Sequence, residues 1–182
     1  MTRLLLTLLA ALALAACKEE LAERPDPVPM TAEAVGHYCQ MNLLEHPGPK
    51  AQVHLEGLPD PLFFSQVRDA IAYQRMPEQS HAISAIYVSD MGAAPSWEHP
   101  GAQNWTAAED AVYVSGATIV GGMGAPELVP FTDRAAALSF VAAHGGEILT
   151  LDAVPDDAVL APVEFELDAD GNFIPPAGAL ID

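Results

Sequence analysis

The sequence predicts an α+β fold built from two small ββαβ units in tandem. A faint internal repeat aligns residues 64–73 with residues 131–140 at a constant offset of 67, and each copy opens on a phenylalanine followed by a hydroxyl side chain. Each copy also carries apolar residues at helical spacing, and a β-rich run follows each of them. The chain of 182 residues is long enough for one ordinary domain or two very small ones.

The first unit is expected to occupy residues 34–92. In chain order we expect strands over residues 36–43 and 51–57, a helix from about 65 to about 75, and a strand over residues 83–88. Ser65 is a suitable N-cap because its hydroxyl accepts a hydrogen bond from the first backbone amides of a helix, and Pro77 ends the helical pattern. The buried helix face would include Val67 and Ile71.

The second unit is expected to occupy residues 111–167. In chain order we expect strands over residues 111–117 and 126–131, a helix from about 132 to about 144, and a strand over residues 148–151. Thr132 is the corresponding N-cap, and two consecutive glycines end the helix after His144. Its buried face would include Leu138, Val141 and Ala142.

The first 16 residues predict a signal peptide. A short head with one arginine precedes an apolar run that ends in Leu14-Ala15-Ala16-Cys17, and this box resembles the lipobox of bacterial lipoproteins. The apolar run is too short to span a bilayer comfortably. We therefore expect cleavage before Cys17, lipidation of its sulfur and export across the inner membrane.

Three further segments flank or join the units. Residues 17–33 are predicted to form a lipidated N-terminus and a proline-rich tether, residues 93–110 a linker, and residues 168–182 an irregular tail. The linker contains Trp97 and Trp105, which we expect to pack between or onto the units because large aromatic side chains mostly serve burial.

The charge of the chain excludes two classes of partner. Seven Lys and Arg residues stand against 25 Asp and Glu residues, which gives a formal net charge of -18. Such a surface repels the phosphates of nucleic acids and the headgroups of anionic lipids. We therefore predict no nucleic-acid partner, and contact with the membrane through the lipid anchor on Cys17.

Cys39 is the one cysteine that remains after Cys17 is lipidated. Exported proteins usually pair their thiols, so an unpaired thiol is either a buried structural residue that packs as a small hydrophobe or a functional ligand. On the expected strand 36–43, alternation places Cys39 and Met41 on one face. Thiolate and thioether ligands select Cu(I) over harder ions. His37 lies on the same face by the same alternation. Three roles are open for it: a metal ligand, a group that supports a ligand, or a half-exposed strand residue.

Met123 lies among glycines in a predicted hairpin loop, over residues 120–126. Loops of this kind can present a side chain to solvent, whereas the alternative is that Met123 covers the apolar seam of its own unit. The other histidines have no spacing that suggests a zinc site.

Taken together, these features resemble the NosL family, the lipoprotein copper chaperones of nitrous oxide reductase assembly. The resemblance covers nearly all of the mature chain. Its elements are the lipobox at Cys17, Cys39-Gln40-Met41 followed by Glu45-His46-Pro47 and Lys50-Ala51-Gln52, the tract Val112-Tyr113-Val114, and Met123-Gly124 leading through Leu128-Val129-Pro130-Phe131 into the second helix. The family usually has glycine at the position of Gln40, a departure that concerns the loop conformation more than the ligand pair.

The resemblance implies a non-enzymatic protein whose two ββαβ units are similar to part of organomercurial lyase. It implies Cu(I) held by Cys39, Met41 and Met123. It further implies a periplasm-facing, membrane-anchored lipoprotein that delivers copper to the copper-sulfide centre of nitrous oxide reductase, in concert with the membrane complex of NosD, NosF and NosY. Whether the anchor lies in the outer or the inner membrane stays open, as does the oligomeric state.

Two other functions remain as alternatives. One is a lipid-anchored interaction module in which Cys39 is a buried structural thiol. The other is an enzyme like organomercurial lyase, which as far as the resemblance informs would need more than one reactive cysteine, while only Cys39 is available.

Overall fold

Two antiparallel sheets, each packed against a helix, form the protein in a computed structural model that describes residues 24–77, 79–163 and 169–170. The elements in chain order are β1 (Ala51–Leu55), β2 (Leu62–Phe64), α1 (Val67–Arg75), β3 (Ile83–Ser89), β4 (Trp105–Ala107), β5 (Val112–Ser115), β6 (Val129–Phe131), α2 (Arg134–His144), β7 (Glu147–Thr150) and α3 (Asp156–Leu160). The signal peptide 1–16, Cys17 and the tail 168–182, apart from residues 169–170, lie outside the described residues. Within the described part, no helix combines the length and the apolar character needed to cross a membrane.

The first sheet has the strand order β2-β1-β3-β4, and all its pairs are antiparallel. Strand β1 is buried along its whole length because it is covered on both faces. Val53 and Leu55 pack with Val67 and Ile71 of α1 in the main core, as expected for that helix. This core also takes in Tyr113 and other residues of the second unit, so the two units share it.

The second sheet has the order β6-β5-β7, with α2 packed against it. The expected buried face of α2 is wrong for Leu138, which is 56% exposed, and for Ala142, which is also exposed, whereas Val141 packs against the core of this sheet as expected. Ala137 is fully buried instead, and Phe140 packs beside it. The apolar face of α2 is therefore rotated by one residue from the predicted face.

The internal repeat is present in the fold at the predicted offset. Helix α1 begins at Val67 and α2 begins at Arg134, which are 67 residues apart. Each N-cap is one residue later than predicted, at Gln66 and Asp133. The expected caps are engaged elsewhere: the Ser65 hydroxyl donates to the Cys39 thiol, and the hydroxyl of Thr132 donates to the Asp90 carboxylate.

The predicted strand over residues 36–43 is wrong. Its backbone closes on itself as a tight turn, in which the N–H of Gly36 donates to the carbonyl of Met41 at 3.0 Å and the N–H of Gln40 donates to the carbonyl of Gly36 at 2.8 Å. Strand β1 pairs instead with β2, with Ala51 opposite Phe64. The strand, strand, helix, strand order of the first unit therefore survives with a different strand pair, while the similarity to organomercurial lyase stays a prediction.

The expected linker 93–110 contributes an additional strand. Strand β4 lies within it and adds to the first sheet beside β3, with Ser89 opposite Trp105. Both tryptophans pack as expected: the indole of Trp97 stacks on Phe140 at 6.3 Å, and Trp105 lies 6.4 Å from Phe63. This segment therefore belongs to the folded core of the molecule.

Residues 24–30 form a strap on the outer face of the first sheet, which we call the N-terminal strap. Val28 and the side-chain amide of Gln52 exchange two hydrogen bonds of 2.9 and 3.0 Å. The hydroxyl of Tyr87 donates to the carbonyl of Pro25 at 2.6 Å, and Met30 is buried. The fold therefore starts earlier than the expected boundary at residue 34, because the strap satisfies polar groups on the sheet and covers apolar surface.

Candidate metal centre

Cys39 lies in the tight turn 36–41 and is half-buried. The turn places Gln40 at φ 56°, and no other non-glycine residue in the described ranges has a positive φ. This left-handed conformation costs a non-glycine residue roughly 1 kcal/mol. The side-chain amide of Gln40 donates to the carbonyl of His37 at 2.7 Å, which offsets part of that cost. The turn sends Cys39 inward and leaves Met41 at the surface.

Two neighbours fix the position of the Cys39 thiol. A Cβ on Gly36 would collide with the Cys39 Sγ, so the absence of a side chain at Gly36 creates the space that the sulfur occupies. On another side, the hydroxyl of Ser65 donates to Sγ at 3.5 Å. Ser65 is itself buried and immediately precedes the N-cap of α1. The sulfur is therefore held in one position before any ion binds.

Both candidate thioethers reach the surface. Met41 is 41% exposed and Met123 is 37% exposed. Met123 lies at the tip of a short loop, closed where the N–H of Gly121 donates to the carbonyl of Ala125 at 2.9 Å. Of the two possibilities for Met123, the structure therefore favours presentation to solvent over burial in its own unit.

The loop that carries Met123 packs against the first unit. A Cβ on Gly122 would lie 2.7 Å from the Cβ of His46 and 2.7 Å from the carbonyl oxygen of Pro47. A Cβ on Gly121 would collide with the side-chain amide of Gln66. Since Gln66 follows Ser65, the Met123 loop and the Cys39 turn both lie at the N-terminus of α1. The two units thus bring their sulfur-bearing loops to neighbouring positions.

A buried lysine and a buried glutamate lie in the same region. The ammonium of Lys50 donates to the carbonyls of Pro47 and Gly48 at 3.0 and 2.6 Å. Burial lowers the pKa of Lys50 to about 8, although the nearby charges of Glu127 and Cys39 oppose this shift. Burial raises the pKa of Glu127 to about 8, against the hydrogen bonds from the backbone N–H groups of Arg68 and Leu128. The thiol therefore lies within the electrostatic range of a buried cation.

The histidines of this region have different environments. The ring of His37 lies 5.4 to 5.7 Å from the rings of Tyr38, Phe64 and Tyr73, so it belongs to an aromatic cluster on the exposed side of the turn. The Nε2 of His46 is buried and has no hydrogen-bond partner in the described part of the chain. His46 is therefore a nitrogen donor beside the Met123 loop, and the sequence reasoning did not single it out.

The donor set suits a soft metal ion. Within residues 24–77, 79–163 and 169–170, no group of three or more His, Cys, Asp and Glu side chains is arranged to hold a metal. The candidate sulfur donors are the thiol of Cys39 and the thioethers of Met41 and Met123, which hard ions do not prefer. The sequence analysis also assigned no role at this site to Lys50, Ser65 or Glu127, because Lys and Glu are rarely buried and nothing local in the sequence marks these two as exceptions.

The structure is that of a small α+β protein with one half-buried thiol, Cys39, and two surface-exposed candidate ligands, Met41 and Met123. A sequence profile of the NosL family matches residues 27–159, and the chain belongs to the NosL family. This family is non-enzymatic, which confirms the expectation that the chain is not an enzyme and removes the organomercurial-lyase alternative.

Three relatives support this assignment. The chain is 60% identical over 166 residues to the copper-binding lipoprotein NosL of Achromobacter cycloclastes, covering 90% of this chain and 86% of the relative. It is 32% identical over 159 residues to the copper-binding lipoprotein NosL of Stutzerimonas stutzeri, covering 86% and 80%. It is also similar to the crystal structure of the copper chaperone NosL from Shewanella denitrificans, with a TM-score of 0.66, 25% identity, and coverage of 72% and 96%.

Proposed function

We propose that this chain is a Cu(I) chaperone that carries its ion on Cys39, Met41 and Met123. The observation that supports this most directly is the position of the Cys39 thiol, which Gly36 and Ser65 hold beside the N-terminus of α1, where the loop that carries the exposed Met123 also packs. The thiolate supplies the charge that neutralises Cu(I), and the thioethers supply soft, neutral donors. The buried Nε2 of His46 is an additional nitrogen donor at the edge of this site.

The exposure of the methionines suits transfer more than storage. An ion held by one half-buried thiolate and two surface thioethers can be approached by the ligands of a partner, which replace the thioethers one at a time. Because the thiolate is the ligand, protons compete with copper, and affinity decreases as pH falls. A carrier needs this combination of tight binding and accessible ligands.

We further propose that the cargo is delivered to the copper-sulfide centre of nitrous oxide reductase, together with the NosD, NosF and NosY complex. The copper-binding and chaperone functions named for the relatives support this destination. We place the protein on the periplasmic side of a membrane, anchored by a lipid on Cys17, in agreement with the lipoprotein name of its relatives. The formal charge of -18 favours a partner with a basic docking surface.

An anaerobic Cu(I) titration against a chromophoric chelator tests this proposal. The chain from Lys18 onward retains every described residue and serves as the reference. We expect one Cu(I) per chain, loss of tight binding in Cys39→Ala, and a weaker affinity by about tenfold, or ~1.4 kcal/mol, in Met123→Leu. Met76→Leu is a matched control because Met76 and Met123 are both 37% exposed.

The same titration decides against the alternative of an interaction module with a structural thiol. If Cys39→Ala binds Cu(I) as tightly as the reference chain, the proposed carrier function is wrong. Alkylation of Cys39 gives a second measurement: prompt labelling of the apo protein that Cu(I) blocks supports the carrier, whereas labelling only after denaturation supports the structural role.

A further inference from the structure

Glu127 connects the two units at the N-terminus of α1. The N-cap of this helix, Gln66, makes no side-chain capping hydrogen bond. Instead, Oε1 of Glu127, from the second unit, accepts a hydrogen bond of 3.0 Å from the backbone N–H of Arg68 and one of 2.9 Å from its neighbour Leu128. An acceptor oxygen here satisfies an amide of the first helical turn that has no partner within the helix.

The second oxygen of Glu127 lies against the loop that carries Met123. A Cβ on Gly121 would lie 2.7 Å from Glu127 Oε2, and the Gln66 side-chain amide occupies the adjacent space. The Gln66 amide also donates to the carbonyl of Ala125 at 3.4 Å. Glu127 and Gln66 therefore support both ends of the turn between Gly121 and Ala125, with Met123 at its tip.

The same helix end also supports the thiol. Ser65, whose hydroxyl donates to Sγ of Cys39, lies three residues before Arg68, whose N–H is bound by Glu127. The Glu127 side chain thus binds the helix end that also carries Ser65, the hydrogen-bond donor to Cys39. It also lies against the loop that carries Met123. Glu127 is 4% exposed, and burying such a group costs free energy unless it is hydrogen-bonded, as Oε1 is, while Oε2 has no partner among the described residues.

We propose that Glu127 is a positioning residue that holds the Met123 loop in register with the Cys39 thiol. Without it, the loop keeps the Gln66 hydrogen bond and the packing of Gly122 on His46 and Pro47 but loses its support at Gly121, so the Met123 thioether is no longer held within reach of an ion bound to Cys39. This inference rests on the proposed copper-carrier function. It assigns Glu127 no contact with the metal, only the placement of one ligand.

A double-mutant cycle in the chain from Lys18 onward tests the inference. Cu(I) affinity is measured by chelator competition for Glu127→Ala, Met123→Ala and the double variant. We expect each single variant to lose about tenfold and the double variant to lose no more than either, because both remove the same ligand. X-ray absorption should show one sulfur fewer per copper in Glu127→Ala and in Met123→Ala alike.

Two further variants keep the test decisive. Glu127→Gln retains a backbone acceptor and the side-chain volume beside Gly121, so it should keep the affinity within about threefold of the reference. Glu127→Asp withdraws the carboxylate by one methylene and should reproduce the loss even if Glu127→Ala does not fold. A second cycle with Met41→Ala should be additive, since Met41 lies on the other loop.

Several outcomes overturn the inference. If the affinity losses of Glu127→Ala and Met123→Ala multiply in the double variant, the two residues act independently. An unchanged Cu(I) affinity in either single variant would also overturn the inference. Equal coupling of Glu127 to Met41 and Met123 would indicate a general structural role. If Cys39→Ala leaves the affinity unchanged, the proposed function itself fails. If Cys39→Ala abolishes tight Cu(I) binding while the affinity losses of Glu127→Ala and Met123→Ala are additive, only the role of Glu127 is overturned.

Discussion

The hydroxyl of Ser65 donates a hydrogen bond to Sγ of Cys39 over 3.5 Å, across 26 residues of sequence. Ser65 was expected to cap α1, but its hydroxyl serves the thiol and leaves the helix without a cap from its own segment. The first turn of α1 is bound by Glu127 instead. One hydroxyl group thus links the placement of the sulfur to the junction between the two units.

Ser65→Ala should slow the alkylation of Cys39 in the apo protein by roughly three- to tenfold. A hydrogen bond donated to the attacking sulfur contributes about 0.5–1.5 kcal/mol, and ~1.4 kcal/mol corresponds to tenfold in rate. Iodoacetamide labelling followed by mass spectrometry measures the rate. Ser65→Thr retains the hydroxyl and serves as the control, and equal rates for all three folded proteins would contradict the role of this bond.

Gly36→Ala should weaken Cu(I) binding by at least about tenfold, because the new Cβ occupies the position of the Cys39 Sγ. Chelator competition measures the affinity, and circular dichroism checks that the fold is retained. Gly92→Ala is the matched control, since its Cβ would meet the Ala136 side chain at 3.2 Å, far along the chain from the sulfur residues. A normal affinity in Gly36→Ala would mean that the thiol can move freely.

Gln40→Val should destabilise the protein more than Gln40→Gly, by about 1–2 kcal/mol of unfolding free energy. The φ of 56° at this position is open to glycine and poorly accessible to a β-branched residue. Glycine relieves the strain but removes the hydrogen bond to His37, so its own effect should be small. Urea denaturation measures both variants, and equal stabilities would contradict the strained turn.

Glu127 should make the stability of the protein decrease as pH rises from about 4.5 towards 8. Its pKa is raised from the model-compound value of 4.5 to about 8 in the folded protein, so the folded state retains a proton that the unfolded state has lost. This stabilising contribution is complete below pH 4.5 and is lost as pH rises through 8. Lys50 adds the opposite slope above pH 8, because burial lowers its pKa from 10.5 to about 8.

Urea denaturation of the wild type and of Glu127→Gln at pH 5, 6.5 and 8 measures this effect. The glutamine variant cannot titrate, so its stability relative to the wild type should improve as pH increases. The difference between the two proteins cancels the contributions of His54 and other groups. A difference that is constant with pH would contradict the raised pKa of Glu127.

Much of the fold follows from local sequence signals, and the exceptions have identifiable causes. The repeat located the starts of α1 and α2 to within two residues, because caps and helix periodicity are local features. The segment 36–43 has β-like composition, yet its backbone hydrogen bonds close a turn that only tertiary packing against Phe63 reveals. Strand β4 has three residues, too few for a periodic pattern.

The candidate site was likewise predicted only in part from the sequence. Cys39, Met41 and Met123 were predicted from the chemistry of sulfur, an unpaired thiol and a family resemblance, and their role as ligands stays a prediction. The contacts of Ser65 with Cys39 and of Glu127 with Arg68 span 26 and 59 residues. No local pattern predicts such pairs, because they depend on how the two units pack.

The N-terminal strap limits how far the protein can travel from its membrane. The strap contacts the folded part from Arg24, which pairs with Glu109, and Pro25 onward, so seven residues, 17–23, separate the proposed lipid from the folded surface. A chain of this length spans at most about 25 Å when fully extended. With the lipid on Cys17 as proposed, this short tether would confine copper exchange to acceptors close to the bilayer, where the restricted volume raises the effective concentration of each partner for the other.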